Sequence, residues 1–98
     1  MAETLFLPGA EDDYRSALRW YAEQGPHLAD AFEVAVDEAL SKIASGPHRF
    51  ARYDERHRCF PMRRFPYALI YRSDGDQVIV VAVAHGKRRP GYWKKRGQ

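Results

Sequence analysis

The order of signals along the chain predicts a two-layer α+β domain. Two amphipathic helical stripes occupy residues 10–44, and a β-hairpin feeding an apolar strand occupies residues 67–84. A short strand candidate precedes each of these groups. Helices with one apolar stripe need a surface to bury it against, and the inner face of a sheet provides one. The expected architecture is therefore β-α-α-β-β-β, with an N-terminal helical hairpin packed on a small, mainly antiparallel sheet. Ninety-eight residues bound this to one domain, residues 1–98, with a single core.

The elements follow in order. Thr4 to Leu7 is a short strand candidate, stopped by Pro8-Gly9. The first helix is expected over Ala10 to Gln24, with Glu11, Asp12 and Asp13 in its first turn, where the macrodipole favours anions. Tyr14, Ala17, Leu18 and Tyr21 share the i, i+3, i+4, i+7 face. Gly25-Pro26 breaks the helix, and a second helix is expected over His27 to Ala44. Its stripe is Leu28, Phe32, Ala35, Val36, Ala39, Leu40 and Ile43, with Glu33, Asp37 and Lys42 off it. Ser45-Gly46-Pro47 ends it, Gly46 being placed for a left-handed cap. The short break makes the pair an antiparallel hairpin. Residues 48–58 carry no period and read as a loop, and a strand is expected within Cys59 to Phe65, limited by Pro61 and Pro66. Tyr67, Leu69 and Tyr71 alternate with Ala68, Ile70 and Arg72, the period of a half-covered strand. Asp74-Gly75 supplies the positive φ of a tight turn, and Val78 to Ala84 is apolar throughout, as suits a central strand.

Composition excludes several classes. An apolar share of 45% and a charged share of 30% describe a soluble globular chain. No apolar run approaches the ~20 residues that span a bilayer, and the N-terminus has neither the basic start nor the apolar segment of a signal peptide. The lone Cys59 suits a reducing cytoplasm. Charge is divided unevenly. Residues 1–48 hold three Lys/Arg against nine acids, net −6, and residues 49–98 hold thirteen against four, net +9. Those cations cluster at strand ends among aromatics: His85-Gly86-Lys87-Arg88-Arg89-Pro90-Gly91-Tyr92-Trp93 follows where the last strand must end. A rigid sheet thus presents a basic, aromatic rim suited to an anionic surface.

With the elements in place, FLPGAEDDYRSALRWYAEQ, SGPHRF and RRFPYALIYR…VIVVAVAHGKRRPGYW resemble the RelE/ParE superfamily, the toxins of type II toxin–antitoxin modules, often described as plasmid stabilisation proteins. The resemblance covers about Phe6 to Trp93 and is closer to the ParE branch, through Arg-Phe-Pro-Tyr before the hairpin and Ala-His-Gly-Lys-Arg-Arg after it. It implies a cytoplasmic toxin, a cognate antitoxin in a toxin–antitoxin hetero-oligomer, and DNA gyrase as target. The alternative is a RelE-like, metal-independent nuclease that cuts mRNA on the ribosome; a second is a degenerate, non-toxic antitoxin-binding module. For a nuclease, the resemblance assigns Arg64, Arg88 and Tyr92, the last with a shift in spacing. Ala68 stands where that branch carries an arginine, and Arg63 and Arg64 stand near its paired lysines. Arginine stays protonated and is a poor general base. The implied target-binding set is Arg63, Arg64, Arg72, His85, Lys87, Arg88, Arg89, Tyr92 and Trp93.

Other constellations are weaker. His27, His48, His57 and His85 lack metal-ligand spacing, so no metal or cofactor is expected. A Cys59–His85 nucleophile pair would have no orienting acid. Tyr92 and Trp93 either stack on bases or fold back over the sheet's edge.

Overall fold

The computed structural model describes residues 2–97. Strand β1 (Glu3–Phe6) leads into helix α1 (Pro8–Gln24) and helix α2 (Pro26–Ser45), followed by a 3-10 turn at Pro47–Arg49. Strands β2 (Arg58–Pro61), β3 (Tyr67–Asp74) and β4 (Gln77–His85) complete one sheet of order β1-β4-β3-β2. The β2–β3 and β3–β4 pairs are antiparallel, whereas β1 runs parallel to β4. The expected two-layer α+β arrangement is the one observed.

The helices are longer than their periodicity indicated. Strand β1 ends before Pro8 as expected, but Pro8 lies inside the helix, in the first turn of α1, where a missing N–H costs nothing. Pro26 starts α2 in the same way, and Gly25 alone links the two helices. Because α1 begins at Pro8, Glu11 is in its first turn but Asp13 lies beyond it. Gly46 does not adopt the left-handed cap: its φ is −167°, an extended conformation, and its N–H bonds to the Ile43 carbonyl. The hairpin turn is Gly75-Asp76 between β3 and β4. Gly75 has φ of +60° and Asp76 a negative φ, the residue order of a type II′ turn.

The core forms where both helical stripes meet one face of the sheet. Ala17 and Tyr21 of α1, with Phe32, Val36, Ala39 and Ile43 of α2, pack on Leu69, Tyr71, Val78, Val80 and Val83. Tyr21 stacks on Phe32 and both meet Phe65 edge-on, with centroids 5.1 Å apart in each pair. A bulge interrupts β4. Ile70 pairs with Ala82 and Tyr71 with Val80, leaving Val81 as the extra residue. The alternation changes phase there, so Val78, Val80 and Val83 face the helices while Val81 and Ala82 face the other side. That second face is also covered. Trp93, 2% exposed, packs on Ile70, Val81 and Ala82, with Leu7, Cys59, Ala84 and Tyr92 around it.

Candidate functional site

The antiparallel pairing of β3 and β4 ends at Tyr67 and His85, and the Gly86 N–H donates to the Pro66 carbonyl at 2.8 Å. This bond ties the 62–66 loop to the segment after β4. It brings Arg63 and Arg64 to the same end of the sheet as Lys87, Arg88 and Arg89, and all five side chains are exposed. His85 organises the turn. Its ring Nδ1 accepts the Lys87 N–H at 3.0 Å and its carbonyl accepts the Arg88 N–H at 3.0 Å. Tyr67 meets the His85 ring edge-on, with centroids 4.9 Å apart. Arg72 does not belong to this group. It lies near the far end of β3, about 17 Å along the strand from Tyr67 at an ordinary rise, and donates to the Gly97 carbonyl.

Behind the rim sits an acid that sequence reasoning placed only as a dipole partner. Asp13 Oδ2 accepts from the Val83 N–H at 3.1 Å, the Tyr92 hydroxyl at 3.1 Å and an Arg96 guanidinium nitrogen at 2.8 Å. A second Arg96 nitrogen reaches Asp13 Oδ1 at 3.3 Å, and Arg96 also donates to the Val81 carbonyl. The ion pair is largely enclosed, with side-chain exposures of 9% for Asp13 and 25% for Arg96. Asp13 thus fastens α1, β4 and the C-terminal segment to one another. Gly9 permits the approach, since a Cβ there would stand 2.6 Å from Arg96 Nε.

Tyr92 is held in this network. Arg88 lies over its ring at 3.9 Å from the centroid and Arg96 at 5.0 Å. Burial, then the neighbouring Asp13 carboxylate and the bond to it, push the phenol up to about 12, despite the two guanidiniums. At neutral pH Tyr92 is therefore a proton donor bonded to a carboxylate and cannot take a proton from a ribose hydroxyl. Arg64 and Arg88 stay charged and can only bind or stabilise an anion.

Besides Arg72, one more residue of the implied contact set lies away from the rim. Trp93 is not on the rim and does not fold over an edge of the sheet. It is buried on the face away from the helices, edge-on to His57 at 4.7 Å and Tyr53 at 4.9 Å. Cys59 and His85 are not a pair either. Cys59 is on β2 opposite Ile70, across β3 from β4, whereas His85 sits at the level of Tyr67. Burial raises the Cys59 thiol, the opposite of an activated nucleophile. Among the described residues no three His, Cys, Asp or Glu side chains converge as metal ligands.

Two grooves open on the helical side. One, about 440 Å³, runs between α1 and α2 over Phe6, Tyr14, Leu18, Val36 and Leu40. The other, about 510 Å³, lies between α2 and edge strand β2 over Ala35, Ala39, Phe60 and Met62, with Arg63 and Arg64 at one border.

Against known proteins, residues 5–90 match the model of the family described as ParE toxin of type II toxin–antitoxin system, parDE. The chain is 31% identical over 83 residues to Toxin ParE2 of Mycobacterium tuberculosis, in strains CDC 1551 / Oshkosh and H37Rv, covering 84% of this chain and 79% of that protein. A solved structure described as the chromosomal ParDE TA system from P. aeruginosa superposes with a TM-score of 0.76 at 17% identity, covering 87% of this chain and 96% of that one. That last similarity bears on the fold.

Proposed function

We propose, from the premise that this chain belongs to the ParE toxin family of type II toxin–antitoxin systems, that it poisons DNA gyrase in the cytoplasm and is neutralised by a cognate antitoxin. The observation that carries the choice of target is the fastening of Tyr92 to Asp13. The residue that would serve a nuclease is a half-buried proton donor raised to about 12, and Ala68 contributes no cation. A phosphoryl-transfer site without a base and short of one preorganised cation loses on the order of a hundred-fold or more in rate. A poison that works by binding needs neither. It needs a rigid surface, and Lys87, Arg88 and Arg89 beside Arg63 and Arg64 supply one with strong anion and carboxylate recognition.

Antitoxin neutralisation is supported by the two apolar grooves, which suit a helical or extended segment that orders on binding. No helix among the described residues is long and apolar enough to cross a membrane. The test of this reading is cellular. Induction of the chain should accumulate gyrase covalently attached to chromosomal DNA, recoverable by immunocapture, and coexpression of the neighbouring small acidic reading frame should suppress it. Growth arrest with no captured gyrase would refute the target.

A further inference from the structure

A second cationic site lies at the opposite end of the sheet from the rim, and of its residues the family resemblance singles out Arg72 alone. The segment between the helices and β2 folds back on itself. Arg52 forms an isolated antiparallel bridge with Arg58, and the Asp54 carboxylate caps the turn between them. That carboxylate accepts the Arg56 N–H and the His57 N–H, both at 2.8 Å, and contacts the His57 ring at 2.9 Å. The turn leaves Arg52, Arg56 and Arg58 facing Arg72 of β3 across a polar pocket of about 180 Å³, with His48 at its border.

The charge here is not spent internally. Among the described residues none of these four arginines forms an ion pair. Arg52, Arg58 and Arg72 each donate one guanidinium N–H to a backbone carbonyl, of Glu55, Phe50 and Gly97 respectively. One bond orients each fork and leaves most of its five donors available. Asp54, one of two acids at the pocket, is already engaged by His57 and the backbone. The second, Glu55, is exposed. Four converging cations against one uncommitted carboxylate, in a pocket of this size, fit a tetrahedral oxyanion better than a carboxylate. Arg52 and Arg56 are exposed, so the pocket opens to solvent with cations at its surface, in a half of the chain that carries a net charge of +9. A single free phosphate leaves that outer charge unmatched, whereas a chain of phosphates meets both the pocket and its surface.

We propose that the Arg52, Arg56, Arg58 and Arg72 pocket binds the phosphodiester backbone of a nucleic acid, independently of the Lys87–Arg89 rim. The contact is to backbone and not to bases, so it carries affinity without sequence preference. It rests on the pocket alone and would survive failure of the gyrase reading.

The experiment is fluorescence anisotropy of the full chain with a labelled random-sequence DNA duplex across a salt series. The wild-type chain should bind with an affinity that falls linearly with salt on logarithmic axes. Arg52→Ala with Arg56→Ala should weaken binding about ten-fold or more and flatten the slope by nearly two, since each phosphate contact contributes about 0.9. Lys87→Ala with Arg89→Ala removes the same charge and should flatten it by less than half as much. Both arginines of the first pair are exposed, and an unchanged circular dichroism spectrum and melting temperature would exclude misfolding. Should that pair misfold, Arg56→Gln alone should still flatten the slope by about one. Equal effects from the two double variants, or no effect from the pocket variants, would overturn the proposal. Calorimetry with inorganic phosphate separates the sources: micromolar phosphate binding without duplex binding would make this a small-anion pocket and overturn the nucleic-acid assignment.

Discussion

Asp13 accepts hydrogen bonds from a strand amide, a tyrosine and an arginine at once, which makes it the most heavily committed side chain near the rim. Breaking an enclosed ion pair by removing one partner leaves an uncompensated charge, typically costing ~3–5 kcal/mol. With Arg96 a quarter exposed, Asp13→Ala should cost about 3 kcal/mol, measured by urea denaturation. The same residue controls Tyr92. In a spectrophotometric titration, Tyr14 and Tyr92 should be among the last tyrosines to ionise, both being pushed up to about 12, chiefly by burial. Asp13→Asn should bring Tyr92 back toward its ordinary value near 10. Because these folded-state values are raised, their contribution to stability is complete below pH 10. It is lost as pH rises from about 10 to 12, where the unfolded chain releases protons that the native state retains. Unfolding free energy should therefore fall over that window in the wild type, and less steeply in Asp13→Asn. The rim behaves differently. Arg88→Ala with Arg89→Ala should abolish growth inhibition at equal expression. Its stability cost should stay within about 1 kcal/mol, the worth of the exposed stacking of Arg88 on Tyr92. Toxicity retained by that variant would remove the rim from the mechanism. Arg88 and Arg89 were legible from composition and position, since cations after an apolar strand have nowhere to go but out. The Asp13–Arg96 pair was not. Its members are 83 residues apart, and no local periodicity connects them.

At the level of elements, the helices and the hairpin follow from patterns that repeat within a few residues, and these were readable. What the pattern hid was register. Val78 to Ala84 is apolar at every position, so alternation could not reveal that Val81 is a bulge or that both faces of the sheet are covered. The covering element, residues 91–97, has no period of its own and looked like a continuation of the basic rim. Its anchor is Trp93, enclosed by Ile70, Val81 and Ala82 and by the rings of Tyr53 and His57. Trp93→Ala should therefore act as a core truncation costing ~3–5 kcal/mol, a large fraction of the ~5–15 kcal/mol that holds such a domain together. Thermal melting would show it, and a melting temperature within a degree or two of wild type would mean that the segment is not docked in solution. The charge-rich turn at 48–58 has no period and reads as a connection, although three of its four arginines, Arg52, Arg56 and Arg58, place a cationic pocket beside Arg72.

Across the whole molecule, the division of charge seen in the sequence becomes a division of labour. The acidic N-terminal half supplies α1 and α2, whose grooves are apolar and bordered by charges of both signs, Glu11, Asp37 and Arg15 at one and Glu38, Lys42, Arg63 and Arg64 at the other. The basic half supplies three of the four strands, with one cluster of cations at each end of the hairpin. We propose that this scaffold acts by binding gyrase and not by cutting RNA. The most direct test sets the purified chain against two purified systems side by side. One is gyrase with supercoiled plasmid; the other is translating ribosomes whose mRNA is read by primer extension. Stabilised gyrase–DNA cleavage that disappears with Arg88→Ala and Arg89→Ala, alongside intact mRNA, is the predicted result. Codon-specific mRNA cuts that disappear with Arg88→Ala, with gyrase unaffected, would contradict it.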